Sequence, residues 1–261
     1  MTVVDRDRLW TLCTPYPFRC GPDMKGRVTN HPKGPSHMFS QVELGRIAGI
    51  PIFLDMMFVL VLILFSYPYF TSGDSQIMSM GLIVMAGILV SILLHELGHA
   101  LAGWLFGVRV THIELTPLGG LAHFERALPP SVLARSVISL AGPAANLMLW
   151  LGLQNFANFG LGADKELLAF TLLTLAGINF YLLVFNLLPA FPLDGGHTLD
   201  ALLGGVLKPG MSIKIVAILG LIVAAGLAIT ALPANFWRLL LAFFLFQVNW
   251  DALQRSGGWN W

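Results

Sequence analysis

The run His95-Glu96-Leu97-Gly98-His99 has residue types and a spacing that could do chemistry. In a helix, residues i and i+4 stand on one face a turn apart, so both imidazoles can aim a ring nitrogen at one cation. Glu96 follows His95 by about 100° around the helix and can sit beside that ion without binding it. A carboxylate there can take a proton from water and later hand it to a leaving amine. Two imidazoles, one carboxylate and an open position make the usual hydrolytic zinc site. One Zn2+ ion is therefore the expected cofactor, with Glu96 as catalytic residue and His95 and His99 as metal ligands. Chance is a poor rival, because with seven His in the chain such a run arises roughly a few times per thousand sequences.

A third ligand is needed from another element. Asp194 is the best placed, in Asn186-Leu187-Leu188-Pro189-Ala190-Phe191-Pro192-Leu193-Asp194-Gly195-Gly196, where prolines and glycines must break a helix. Irregular backbone at membrane depth is tolerated where it lines a polar cavity. His197 is the alternative ligand. Asp55 reads as a helix-packing or supporting group, and His112 and His123 as interfacial loop residues.

The elements that must hold these residues are set by composition. Of 261 residues, 56% are hydrophobic and 11% charged, about half the charge of an ordinary soluble domain. A membrane protein follows. A net charge of +1 gives no electrostatic case for nucleic acid. Apolar runs at about 51–70, 77–107, 132–155, 167–188, 211–231 and 235–254 are each near the length that crosses about 30 Å of hydrocarbon. The expected fold is an all-α membrane protein with about six transmembrane helices. A small membrane-associated β region is expected within 108–124, and a re-entrant Pro/Gly-rich segment around Asp194.

In domain terms, residues 1–45 read as a cytoplasmic N-terminal tail, 46–255 as the membrane domain and 256–261 as a short C-terminal tail. Gly34-Pro35-Ser36-His37-Met38 reads as a tag remnant or Met38 as a natural start, so the fold is expected from near Phe39. Cys13 and Cys20 form no recognisable metal or disulfide pattern. In a six-span arrangement, the basic residues of the tail, Arg109, Arg126, Arg135, Lys208, Lys214 and Arg255 fall on one side, against Lys165 and Arg238. Basic residues favour the cytoplasmic side, which places both termini there, in a multi-pass protein of the cell membrane.

Together these segments resemble the site-2 protease family of intramembrane metalloproteases. The residues that carry the resemblance are the His95 to His99 motif on an apolar span, Gly142-Pro143-Ala144-Ala145-Asn146 and Pro192-Leu193-Asp194-Gly195-Gly196. Gly49-Ile50-Pro51-Ile52 and Pro117-Leu118-Gly119-Gly120 extend it, so that it covers the chain from Leu44 onward. The resemblance implies His95, His99 and Asp194 as zinc ligands and Glu96 as the acid/base. It implies cleavage of transmembrane or membrane-associated protein substrates in the lipid bilayer, and leaves room for a regulatory membrane protein and a homo-oligomer. Asn146 and Asn186 match asparagines near the active site of relatives. They are read as substrate-backbone or oxyanion groups, with interhelical hydrogen bonding as the plainer role. Gly103-x-x-x-Gly107 reads as helix packing or a dimer contact. A zinc-binding membrane transporter and a catalytically silent client-binding scaffold are the readings set against the protease.

Overall fold

A computed structural model describes residues 41–116, 119–159, 165–208, 210–231 and 235–256. The tail before residue 41, with both cysteines, lies outside the described residues, as do Pro117 and Leu118. The chain opens with strands β1 (Gln41–Ile47) and β2 (Ile50–Asp55). They form a hairpin across Ala48 and Gly49, with φ of 50° and 83°. Two left-handed central residues give the turn whose twist matches its strands. Strand β1 begins within the stretch expected as tail, and β2 occupies the start of the first expected span. The second difference has a local cause. Ile50-Pro51-Ile52-Phe53-Leu54 is apolar enough to join a hydropathic run, but its Ile52 and Leu54 are buried and Phe53 is less so, which is the period of a strand.

Helix α1 (Met56–Phe70) starts at Asp55, whose carboxylate caps it by accepting from the Met57 N–H at 2.8 Å. Asp55 is therefore a cap. Helix α2 (Ser75–Leu105) carries the His95 to His99 motif and stops at Gly107. That glycine has φ of 77°, and Val108 N–H returns to the Gly103 carbonyl at 2.8 Å, a glycine-terminated helix end. The chain then forms strands β3 (Val110–Thr116) and β4 (Gly119–Phe124), the β region expected in that connector. The sheet order is β1-β2-β3-β4, with β2 and β3 parallel and the other pairs antiparallel.

One face of this sheet is a core. Ile52, Leu54, Ile113, Leu115 and Ala122 pack with Phe58 and Leu62 of α1 and Ile92 and Ala100 of α2. Gly103 sits so close to Phe124 that an added Cβ would stand 2.7 Å from its ring, so the Gly103 end of the small-residue pair packs on the hairpin.

Helices α3 (Val132–Phe159), α4 (Glu166–Asn186), α5 (Asp194–Gly204), α6 (Met211–Ala231) and α7 (Phe236–Ser256) complete the fold. Among the described residues four helices, α2, α3, α4 and α6, are long and apolar enough to cross a membrane. Helix α1 is 15 residues long, shortened because its apolar run begins as a strand.

Candidate metal centre

The sequence brings His95 and His99 together through helix period alone, and both are buried on α2. Asp194 arrives from a different element. After α4 ends, residues 187–193 turn back and α5 begins with Asp194 itself. An added Cβ on Gly195 would stand 2.2 Å from the Leu187 carbonyl oxygen, and one on Gly196 2.5 Å from that of Ala190. The two glycines let α5 start against its own incoming loop, so the broken Pro/Gly segment has a steric cause.

Asp194 Oδ2 lies 3.1 Å from His95 Nε2, Asp194 Oδ1 lies 3.3 Å from His99 Nε2, and the two Nε2 atoms are 3.1 Å apart. The other nitrogen of each ring has a fixed partner. His99 Nδ1 donates to the Ile138 carbonyl at 2.7 Å, on the α3 turn that precedes Pro143. The amide group of Asn146 donates to Asn179 Oδ1 at 2.9 Å. Its carbonyl oxygen, 2.5 Å from His95 Nδ1, must therefore accept from that ring. In the neutral form of each ring the proton therefore sits on Nδ1 and the Nε2 lone pair points toward the Asp194 carboxylate. Two imidazole nitrogens and a carboxylate facing one point are a group that could hold a metal ion, and a neutral Nδ1–H imidazole is the form that ligates through Nε2. The space is kept open by Gly142, where a Cβ would stand 2.3 Å from His99 Nε2 and 2.6 Å from His95 Nε2.

Glu96 is buried beside these groups. Its carboxylate accepts from the Ala122 N–H of β4, and Gly120 lies flat against it, with room for no Cβ. The hairpin thus positions the residue that the motif spacing leaves off the metal. His197, the alternative ligand, stays outside the cluster, its ring set edge-on against Phe191 at 5.4 Å. Asn146 is fully buried, with its amide engaged at both ends. Asn186 is the last residue of α4 and partly exposed.

Three supporting residues have no motif to announce them. Asn179 Nδ2 continues the chain from Asn146 to Ser91 Oγ at 2.9 Å, and Ser91 donates to the Gly87 carbonyl at 2.7 Å. Asn249 of α7 holds the loop before Asp194 from outside. It accepts from Phe191 N–H at 3.0 Å and donates to the Phe191 carbonyl at 2.7 Å. Their only sequence signal is a polar side chain inside an apolar run, which needs a partner in hydrocarbon.

Comparison with known proteins gives a consistent result. The family model described as peptidase family M50 matches residues 83–162 and 155–230. A zinc metalloprotease of Methanocaldococcus jannaschii is 33% identical over 210 residues, covering 78% of this chain and 58% of the relative. A Synechocystis protein that also carries the name zinc metalloprotease is 31% identical over 233 residues, covering 82% of this chain and 60% of its own length. The chain thus spans about three-fifths of these relatives. The solved site-2 protease from Methanocaldococcus jannaschii superposes with a TM-score of 0.57 at 28% identity, over 84% of this chain and 94% of that one.

Proposed function

This chain belongs to peptidase family M50, and from that membership we propose that it is an intramembrane zinc metalloprotease cutting transmembrane or membrane-associated proteins. The observation that carries the reading is the convergence of His95 Nε2, His99 Nε2 and the Asp194 carboxylate beside a buried Glu96. His95, His99 and Asp194 would hold the ion. A zinc ion there supplies a Lewis acid for the scissile carbonyl and lowers the pKa of water. Glu96, oriented by Ala122 N–H, takes the proton from the attacking water and returns it to the leaving amine. Asn146 is assigned to positioning His95, since its amide is already occupied. Asn186, the last residue of α4 and partly exposed, is assigned to the substrate backbone or oxyanion.

A substrate helix hides its carbonyls in its own hydrogen bonds, so it must unwind before it is cut. Strand β4 ends the sheet order, and its edge beside Glu96 suits pairing with such an extended segment. In the membrane, α1 and α7 join α2, α3, α4 and α6 to make about six crossings. Their outward residues, Leu60, Ile63 and Leu64 on α1 and Leu239, Leu240 and Phe243 on α7, are exposed and apolar, as hydrocarbon-facing positions require. With the basic residues inside, the protein sits in the cell membrane with both termini cytoplasmic.

Glu96→Gln tests the assignment. It should keep its zinc, cut a co-expressed membrane substrate about 10²–10⁴-fold more slowly, and co-purify with uncut protein. Cleavage at the wild-type rate with zinc in place would remove Glu96 from the mechanism.

A further inference from the structure

A second group of ligand-type side chains stands on the sheet, on the face turned away from the core. His112 and Glu114 alternate with buried Ile113 and Leu115 on β3, and His123 on β4 is the register partner of His112. The period of two therefore puts all three on one side. His112 Nε2 lies 3.3 Å from Glu114 Oε1, and His123 Nε2 lies 3.3 Å from Glu114 Oε2. The two imidazoles are stacked, with centroids 4.2 Å apart and planes 11° from parallel. Their three ligand atoms all lie within 4.8 Å of one another.

The protonation pattern is set by Thr111. The ladder slips between Val110 and His112, and this bulge lets the Thr111 hydroxyl reach two groups. It donates its single hydrogen to the His123 carbonyl at 3.0 Å. His112 Nδ1, also 3.0 Å from that oxygen, must then be the donor of its own contact. The neutral His112 ring therefore keeps its lone pair on Nε2, the atom that faces Glu114.

We infer that His112, Glu114 and His123 form a second metal site, for a divalent transition-metal ion, on the hairpin that carries Ala122. Nitrogen and oxygen ligands about 2.0–2.1 Å from a tetrahedral zinc stand roughly 3.3 Å from one another. The two histidine–carboxylate separations in the structure have that length. Side chains that are 15–31% exposed leave water access to the remaining position. The donor set of two imidazoles and a carboxylate suits zinc, nickel or copper and not calcium or magnesium, which take oxygen ligands. An ion here would tie β3 to β4 at the residue next to Ala122, and so would brace the strand against which Glu96 rests.

The test is metal stoichiometry on the tag-free full chain in detergent, loaded with excess Zn2+, desalted and analysed by atomic emission. The wild type should hold one zinc equivalent more than His112→Ala/His123→Ala, which should elute like wild type and keep the equivalent bound through His95 and His99. In a His95→Ala/His99→Ala background the hairpin equivalent should remain, and His112→Ala/His123→Ala added to it should remove it. His123→Gln, which keeps most of the ring's bulk, serves if the double alanine variant aggregates. Thr111→Val should weaken the hairpin site about 10-fold or more, and Thr111→Ser should restore it. The site is refuted if the wild type holds no zinc that the His112/His123 changes remove. Loss of the His95/His99 equivalent alone would overturn the protease reading and leave this one standing.

Discussion

A methyl group at position 142 would stand 2.3 Å from His99 Nε2 and 2.6 Å from His95 Nε2, nearer than any ligand pair in the cluster. Gly142→Ala is therefore expected to empty the site while leaving α3 intact, since alanine favours helix over glycine. Zinc content and a far-ultraviolet dichroism spectrum on the same sample check it. Asn146 acts one bond further out, by fixing which nitrogen of His95 carries the proton. Removing such a partner lowers metal affinity about 10–100-fold. Asn146→Ala should show that loss in competition with a chelator, and unchanged zinc affinity would reduce Asn146 to a packing residue. Both sites in this protein, the buried one and the one on the hairpin, depend on a neighbour that decides a histidine tautomer. Asn146 does so for His95 and Thr111 for His112.

At the scale of elements, the site is a meeting of α2, α3 and the first residue of α5, roofed by β4. Helix α7 contributes no residue to it and still governs it. Asn249 is fully buried and satisfies both backbone groups of Phe191, three residues before Asp194. Each buried backbone group left unpaired costs about 1–3 kcal/mol. Asn249→Leu should accordingly lower the thermal unfolding midpoint and reduce zinc retention together; a variant that unfolds earlier but binds zinc normally would make Asn249 a stability residue only. Gly120→Ala addresses the roof. Its Cβ would lie 2.3 Å from Glu96 Cγ, so cleavage should fall steeply while zinc content stays at the wild-type level.

For the molecule as a whole, the apolar helices and basic-residue bias predict a topology that labelling can read. In a background with Cys13 and Cys20 replaced, a Lys165→Cys variant should react with an impermeant maleimide in intact cells. Arg126→Cys should react only after permeabilisation. The reverse pattern would invert the orientation and move the site to the opposite side.

The sequence by itself determined the arrangement of side chains at one end of the candidate site. A helical period needs no tertiary contact, so His95 and His99 on one face with Glu96 beside them were legible from spacing, and Asp194 from the prolines and glycines that break its surroundings. The apolar helices were legible for the same local reason, as was a β region near 108–124. The β1–β2 hairpin was not, because a short buried strand and the start of a membrane span share one hydropathy. Tertiary structure alone decided that the sheet gains two strands, that Asn146 faces His95, that Asn249 reaches across to Phe191, and that His112, Glu114 and His123 form a cluster. Each of these depends on a pairing register or on contacts between residues far apart in sequence, such as the 51 residues between His95 and Asn146, which no local period encodes.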